Sequence, residues 1–313
     1  GFTNTLHAAE TRNSTEARKS SRRNFSVFPW PFRVFVVSSW IYETASGGQP
    51  WRHLMRGRWV RILAIGAAVG WVVSLPVEAA EGIDHTPWDR LLRRYVSAGL
   101  VDYEGLHKEH ATLEQYLGSL GEATPTQWES RDEQLAFWIN AYNACVVKGV
   151  LDHDPLRSVQ DVKGFFDRIR YPVGGRNVTL DEIEAQGRAL GDWRIHFAVV
   201  CASSSCPPLR SEAYWPQRLD AQLIDATIAF LRDEARGLRV EGQRLLVSQI
   251  FKWYAADFVP RKDRGLFGTV TAESLLRVLA PYLEIQVAQS SQGQELTLDF
   301  LEYDWTLNRQ GSR

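Results

Sequence analysis

The chain has 313 residues, 44% of them hydrophobic, with three cysteines and a formal net charge of −1. Without a basic excess it is a poor partner for nucleic acid, whose affinity rests on Lys and Arg neutralising phosphates. The length suffices for a real hydrophobic core, and no internal repeat, low-complexity linker or strong charge block divides it.

The first quarter contains the chain's single methionine, Met55. Arg56, Arg58 and Arg61 follow it as a basic segment, Ile62 to Leu75 form an uncharged apolar run of 14 residues, and Pro76-Val77-Glu78-Ala79 is a small-residue exit. This order predicts a signal peptide over residues 55–79, cleaved after Ala79, and export to a periplasmic or extracellular compartment. A membrane anchor is the competing reading, but the run falls short of the roughly 20 residues a span requires and holds two glycines. No stable membrane span is therefore expected in the mature form. Residues 1–54 show no sustained strand or helix period and read as an upstream leader. They and the signal segment hold ten of the Lys/Arg and four of the Asp/Glu, so residues 80–313 carry a net charge of −7. That stretch is expected to form one globular domain.

Pro87 to Tyr95 reads as an amphipathic helix, followed by a short strand around Val101 to Tyr103. Leu135 to Leu151 is apolar almost all round, which predicts a buried central helix. Asn140 and Asn143 interrupt it three residues apart, on one face. A buried amide costs about 1 to 3 kcal/mol unless hydrogen-bonded, so the pair either ties neighbouring loops to the helix or lines a polar site. Gly174-Gly175 marks a hairpin turn, and Thr179 with Glu182 three residues on is a capping box. Residues 194–202 (RIHFAVVCA) are the best candidate for a buried strand. Pro216 opens a helix whose Leu219, Leu223, Thr227 and Phe230 stripe faces the core. A second hairpin turns at Glu241-Gly242. Residues 249–258 and 271–283 read as helices, and residues 284–288 with 296–305 as a closing pair of strands. Helices mixed with antiparallel pairs in this order predict an α+β domain, with a mixed or antiparallel sheet and the buried central helix packed on it.

The chemistry concentrates in HFAVVCASSSCPPLR, residues 196–210. Strand alternation would place Ile195, Phe197, Val199 and Cys201 on one face and His196 on the other, which argues against His196 as the base for Cys201. Two readings stand. A disulfide between Cys201 and Cys206 would staple a tight turn, contributing about 2 kcal/mol. Alternatively, Cys201 is a nucleophile presented at a strand end. The four-residue spacer makes a thiol-disulfide oxidoreductase the weaker third reading, and no second Cys or His pair stands at metal-ligand spacing.

Five blocks, AFWINAYNA, VTLDEIE, RIHFAVVCASSSCPPLR, SQIFKWYAADF and YDWTLN, together resemble the family known as domain of unknown function 547, in that order across residues 98–308. The resemblance implies a shared α+β domain and a site built from Asn140, Asn143, Cys201, Asp304, Trp305 and Asn308. It supplies no assigned reaction. Relatives often carry His where this chain has Ala185, and some lack a cysteine at the place of Cys206, which favours Cys201 as the nucleophile.

Among other candidates, His153 sits between two aspartates and is either a base oriented by a carboxylate or a helix C-terminal histidine favoured by the dipole. Glu184 and Asp304 either orient a base or hold a loop. Trp253, Tyr254 and Trp305 wall a cleft or fill the core. His107 and His110 read as solvated surface. No glycine-rich phosphate loop, GxSxG elbow or HExxH helix is present. The resulting expectation is a thiol-dependent hydrolase or acyl transferase acting on an amide or ester. Cys201 is its nucleophile, His153 and Glu184 are the candidate bases, and Asn140, Asn143, Cys206, Trp253, Asp304, Trp305 and Asn308 contact a small-molecule or peptide-like substrate. No cofactor or metal is expected. The alternative is a non-enzymatic binding module stapled by Cys201 and Cys206.

Overall fold

The computed structural model describes residues 82–128, 130–265, 269–283 and 295–311. The leader, the signal segment and the strand expected at 284–288 lie outside the described residues.

The domain is α+β, with helices dominant and, among the described residues, the strands in three small sheets. Helix α1 (Thr86–Tyr95) turns Trp88, Leu91, Leu92 and Tyr95 into the core. A tight hairpin follows, β1 (Val96–Ser97) pairing with β2 (Leu100–Val101). Both turn residues, Ala98 and Gly99, have positive φ, the geometry such two-residue turns demand. The strand expected to run to Tyr103 stops at Val101. The Asp102 side chain accepts from Gly105 N and so starts α2 (Tyr103–His107).

Helix α3 (His110–Glu122) leads to α4 (Arg131–His153), the central helix. Ser130 caps α4 by accepting from Glu133 N, with Asp132 and Glu133 in its first turn, where the helix dipole favours acids. From Leu135 to Val147 every side chain of α4 is buried. Its main neighbours are α3 and α5 (Leu180–Ala189). Helix α5 starts at the expected capping box, with Thr179 Oγ1 accepting from Glu182 N and the Glu182 carboxylate from Thr179 N. Before it, β3 (Tyr171–Val173) and β4 (Arg176–Val178) meet at Gly174-Gly175, both with positive φ.

The strand expected through residues 195–200 does not form. Residues Trp193–Phe197 make a 3₁₀ turn, started by Asp192 accepting from Arg194 N, and residues 198–201 run on without joining a sheet. An apolar run without alternation fits any buried backbone, provided its polar groups find partners. Here α4 supplies them. Asn143 Nδ2 donates to the Ala198 carbonyl and its Oδ1 accepts from Val200 N, both at 2.9 Å. Asn140 treats Tyr214 in the same way, at 2.8 and 2.9 Å. Each amide stands in for the strand neighbour these segments lack.

After a 3₁₀ turn at Pro216–Arg218, α6 (Leu219–Leu231) buries the expected Leu219, Leu223, Thr227 and Phe230 stripe. Strands β5 (Leu238–Glu241) and β6 (Arg244–Val247) form the second hairpin, turning at Gly242-Gln243. The helix expected over 249–258 is broken at Tyr254 into α7 (Ile250–Trp253) and α8 (Ala255–Phe258). Helix α9 (Ala272–Leu279) precedes β7 (Thr297–Phe300), which pairs parallel with β6. The strand expected over 296–305 thus ends at Phe300, and the chain beyond it threads back to the cysteine loop. Among the described residues, no helix is long and apolar enough to cross a membrane.

Candidate active site

The cysteine loop is held from outside. Ser204 N donates to Thr306 O at 2.7 Å, Ser205 N to Asp304 O at 3.1 Å and Asn308 N to Ala202 O at 3.0 Å. Asp304 N in turn donates to Ser205 Oγ. With the Asn143 bonds on the other side, Cys201 sits between a buried helix and a C-terminal strap. Ala202, fully buried, has φ of +60°, a left-handed conformation that costs a residue with Cβ about 1 kcal/mol or more. Strain of this kind persists where surrounding bonds over-determine the backbone, as they do here.

All three cysteines are free, with Cys201 partly exposed and Cys145 and Cys206 buried. Cys201 Sγ lies 3.0 Å from Ser203 Oγ and 3.2 Å from the Tyr303 hydroxyl, while Cys206 Sγ accepts from Cys201 N at 2.9 Å. Burial alone would push the Cys201 thiol up. Hydrogen bonds from Cys206, Ser203 and Tyr303 outweigh it and bring the thiol down to about 7. Cys206 moves the other way, raised by burial and by the neighbouring Cys201. Tyr303 is raised by burial and by both cysteines, so its hydroxyl keeps its proton and remains a donor.

Cys201 and Cys206 open onto a cavity of about 490 Å³. Its lining also includes Glu184, Trp253, Tyr254 and Trp305 from the sequence-based candidates, together with Tyr142, Asp167, Asp181, His196 and Tyr303. Trp253, Tyr303 and Trp305 form one aromatic wall, their ring centroids 4.8 to 5.9 Å apart. Trp253, 47% exposed, stands outermost.

The acidic side of the cavity is a connected network. His196 Nε2 and Arg188 Nε both approach Asp257 Oδ2, at 2.8 and 2.7 Å. His196 stacks on Tyr254 at 4.0 Å, and the Tyr254 hydroxyl donates to Glu184 at 3.2 Å. The bond from His196, with Arg188 beside it, holds Asp257 well below the usual carboxylate range against the opposing effect of burial. Burial holds His196 below its ordinary value, with Asp257 opposing. An ionised Asp257 and a neutral ring put the proton on Nε2 and leave a lone pair on Nδ1. That Nδ1 is buried and has no hydrogen-bond partner. Burial raises Glu184, with the Tyr254 bond and Arg188 opposing.

Several expected site residues stand elsewhere. His153 Nδ1 donates to the Gly149 carbonyl of its own helix, and His153 lines a separate depression with Arg157 and Lys163. It is a helix-end histidine, not a partner of Cys201. Asn140 and Asn143 spend both ends of their amides on backbone and do not line the cavity. Asn143 nevertheless fixes the backbone one residue before Cys201, whereas the Ser203 to Ser205 hydroxyls bond to the sulfur of Cys201 and to the strap. Asp304 is exposed and caps the strap by accepting from Thr306 N. Asn308 is buried between the Tyr103 hydroxyl and the Gly99 carbonyl. Asp304 and Asn308 therefore hold the strap that holds the loop.

His196 was set aside on strand alternation, which lapses once residues 193–197 form a 3₁₀ turn. Tyr303 and Ser203 were also missed. Tyr303 adjoins Asp304 and Trp305 in the sequence, but its pairing with Cys201 spans 102 residues. Among the described residues, no group of three or more His, Cys, Asp and Glu is arranged to hold a metal.

Residues 125–231 match the model of a family described as a protein of unknown function, DUF547. The matched segment contains α4, α5, the cysteine loop and α6, and hence Glu184, His196, Cys201 and Cys206. The aromatic wall and Asp257 lie beyond it. No curated protein and no solved structure matches the chain.

Proposed function

We propose that this protein is a thiol-dependent acyl-transfer enzyme, a hydrolase or transferase acting on an amide or ester, with Cys201 as its nucleophile. The observation that supports this reading is the environment of Cys201: a partly exposed residue in a cavity wall, its sulfur with two hydroxyls at 3.0 and 3.2 Å and its thiol brought to about 7. A thiol that titrates near neutrality is substantially ionised there and needs no dedicated base. This removes the difficulty posed by Ala185 and by a distant His153. The thiolate attacks the acyl carbon, forming a thioester as the amine or alcohol leaves with a proton from water. Water or a second nucleophile then takes the acyl group. Tyr303 and Ser203, released from the sulfur as its charge moves into the new bond, are the donors nearest the developing oxyanion.

A second reading, a non-enzymatic binding module, draws on the aromatic wall of Trp253, Tyr303 and Trp305, which would grip a ligand without chemistry. Export is part of the same proposal and draws on the basic and apolar segments of residues 55–79. The separating experiment is to incubate the protein with an activated ester series and look for a covalent acyl adduct by mass spectrometry. A thioester confined to Cys201, and its absence in Cys201→Ser, supports the enzyme. No adduct with any ester leaves the binding module.

A further inference from the structure

The polar groups lining the cavity are unequal in kind. Asp167, Asp181 and Glu184 are carboxylates, and among the described residues no Lys or Arg lines the cavity with them. Among the described residues the Asp181 side chain has no hydrogen bond or ion pair, and Asp167 has only a loose pair with Arg168 at 3.9 Å. Arg188 is committed to Asp257, stands 4.0 Å from Glu184 and sits over the Tyr254 ring. His196, 2% exposed and part of the same lining, carries a buried Nδ1 without a partner. With Nε2 protonated toward Asp257, that nitrogen is an acceptor. Buried polar atoms are almost always bonded, so an orphan acceptor in a cavity wall asks for a donor from outside the chain. The remaining wall, Trp253, Tyr303 and Trp305, offers π faces, which attract cations. Acceptors on one side and ring faces on the other are complementary to the same thing.

We propose that the cavity takes acyl substrates bearing a cationic hydrogen-bond donor, an ammonium or guanidinium group, seated by Asp181, Asp167 and the His196 acceptor. The proposal rests on Cys201 as the nucleophile for the acyl part, while the cationic part stands on the lining alone. Burial raises Asp181, with Asp167 adding to it, as expected of neighbouring carboxylates.

Two arms test it. In the first, the intact domain reacts with aminoethyl or sulfonatoethyl methanethiosulfonate, and modification of Cys201 is followed by mass spectrometry. The thiolate attacks the sulfenyl sulfur, a disulfide bond forms and methanesulfinate leaves. The cation-to-anion rate ratio, divided by that of 2-mercaptoethanol, is expected to be about tenfold or more. It should fall about threefold or more in Asp167→Asn/Asp181→Asn and stay unchanged in Glu273→Gln, an exposed carboxylate on α9. In the second arm, Cys201→Ser is titrated with benzylammonium or benzoate and followed by tryptophan fluorescence. A saturable change with benzylammonium alone, lost in the double asparagine background, is expected. A normalised ratio near one together with no saturable benzylammonium signal overturns the proposal, as does a response the asparagine variants leave intact. If Cys201 is inert to both reagents while benzylammonium still binds, the cation site stands and the nucleophile reading fails.

Discussion

The hydroxyl of Tyr303 lies 3.2 Å from the sulfur of Cys201, a contact made because the strap at residues 304–308 is bonded to the cysteine loop along its length. Ser203 Oγ completes a triangle, 3.0 Å from the sulfur and 3.2 Å from the phenol. When the thiol loses its proton, both hydroxyls can turn their hydrogens onto the sulfur, and together with the larger contribution of Cys206 they outweigh burial. Tyr303→Phe removes one donor and is expected to raise the Cys201 titration by about one unit, or about 1.4 kcal/mol. The pH dependence of alkylation checks this. A Phe variant titrating like the parent would show that the phenol is a spectator.

Asn143 should be worth more to stability than to chemistry. Asn143→Ala strands a buried N–H on Val200 and a buried carbonyl on Ala198 and opens a cavity in α4, so about 3 kcal/mol or more of destabilisation is expected. Asn140→Ala should behave alike through Tyr214. Urea denaturation measures both. A loss below about 1 kcal/mol would mean that water replaces the amide.

His85 predicts an acid-sensitive step. Buried, with Nδ1 at 2.7 Å from the Tyr116 hydroxyl, it is lowered by desolvation to about 4. The unfolded chain, with an ordinary value near 6.5, binds the proton first as pH falls. The stability His85 leaves intact above about pH 6.5 is therefore lost between about 6.5 and 4, a matter of about 3 kcal/mol. His196 is lowered too and acts in the same direction, while Asp257, also lowered, withdraws stability only below the ordinary carboxylate range. Thermal melts from pH 7 to 4 should show the decline, flattened in His85→Gln. Parallel profiles in the two proteins would locate the acid sensitivity elsewhere.

For the exported form, N-terminal sequencing is expected to begin at Ala80. A mature start before Met55 would contradict the signal segment.

Local signals in the sequence were legible where local chemistry decides the structure. Thr179 and Glu182 cap α5, Gly174 and Gly175 turn a hairpin, and the largely apolar stretch of α4 is the buried helix. Residues 195–200 misled because an apolar run carries no period. Its backbone is satisfied by a side chain from α4, so it needs no strand neighbour and forms no strand. That one substitution removed the argument separating His196 from the Cys201 cavity. Tyr303, Asp257 and the aromatic wall were illegible as a site for a different reason: they reach the cysteine loop through contacts spanning 61 to 102 residues, which no spacing rule encodes.

The central claim is that Cys201 is a thiolate near neutral pH, and its rate of alkylation against pH tests that most directly. The folded, reduced protein, with modification followed at Cys201 by mass spectrometry, should show a half-titration near 7 that disappears in Cys201→Ser. A half-titration at or above the free-thiol value of about 8.5, or a sulfur inert until the protein unfolds, would contradict it.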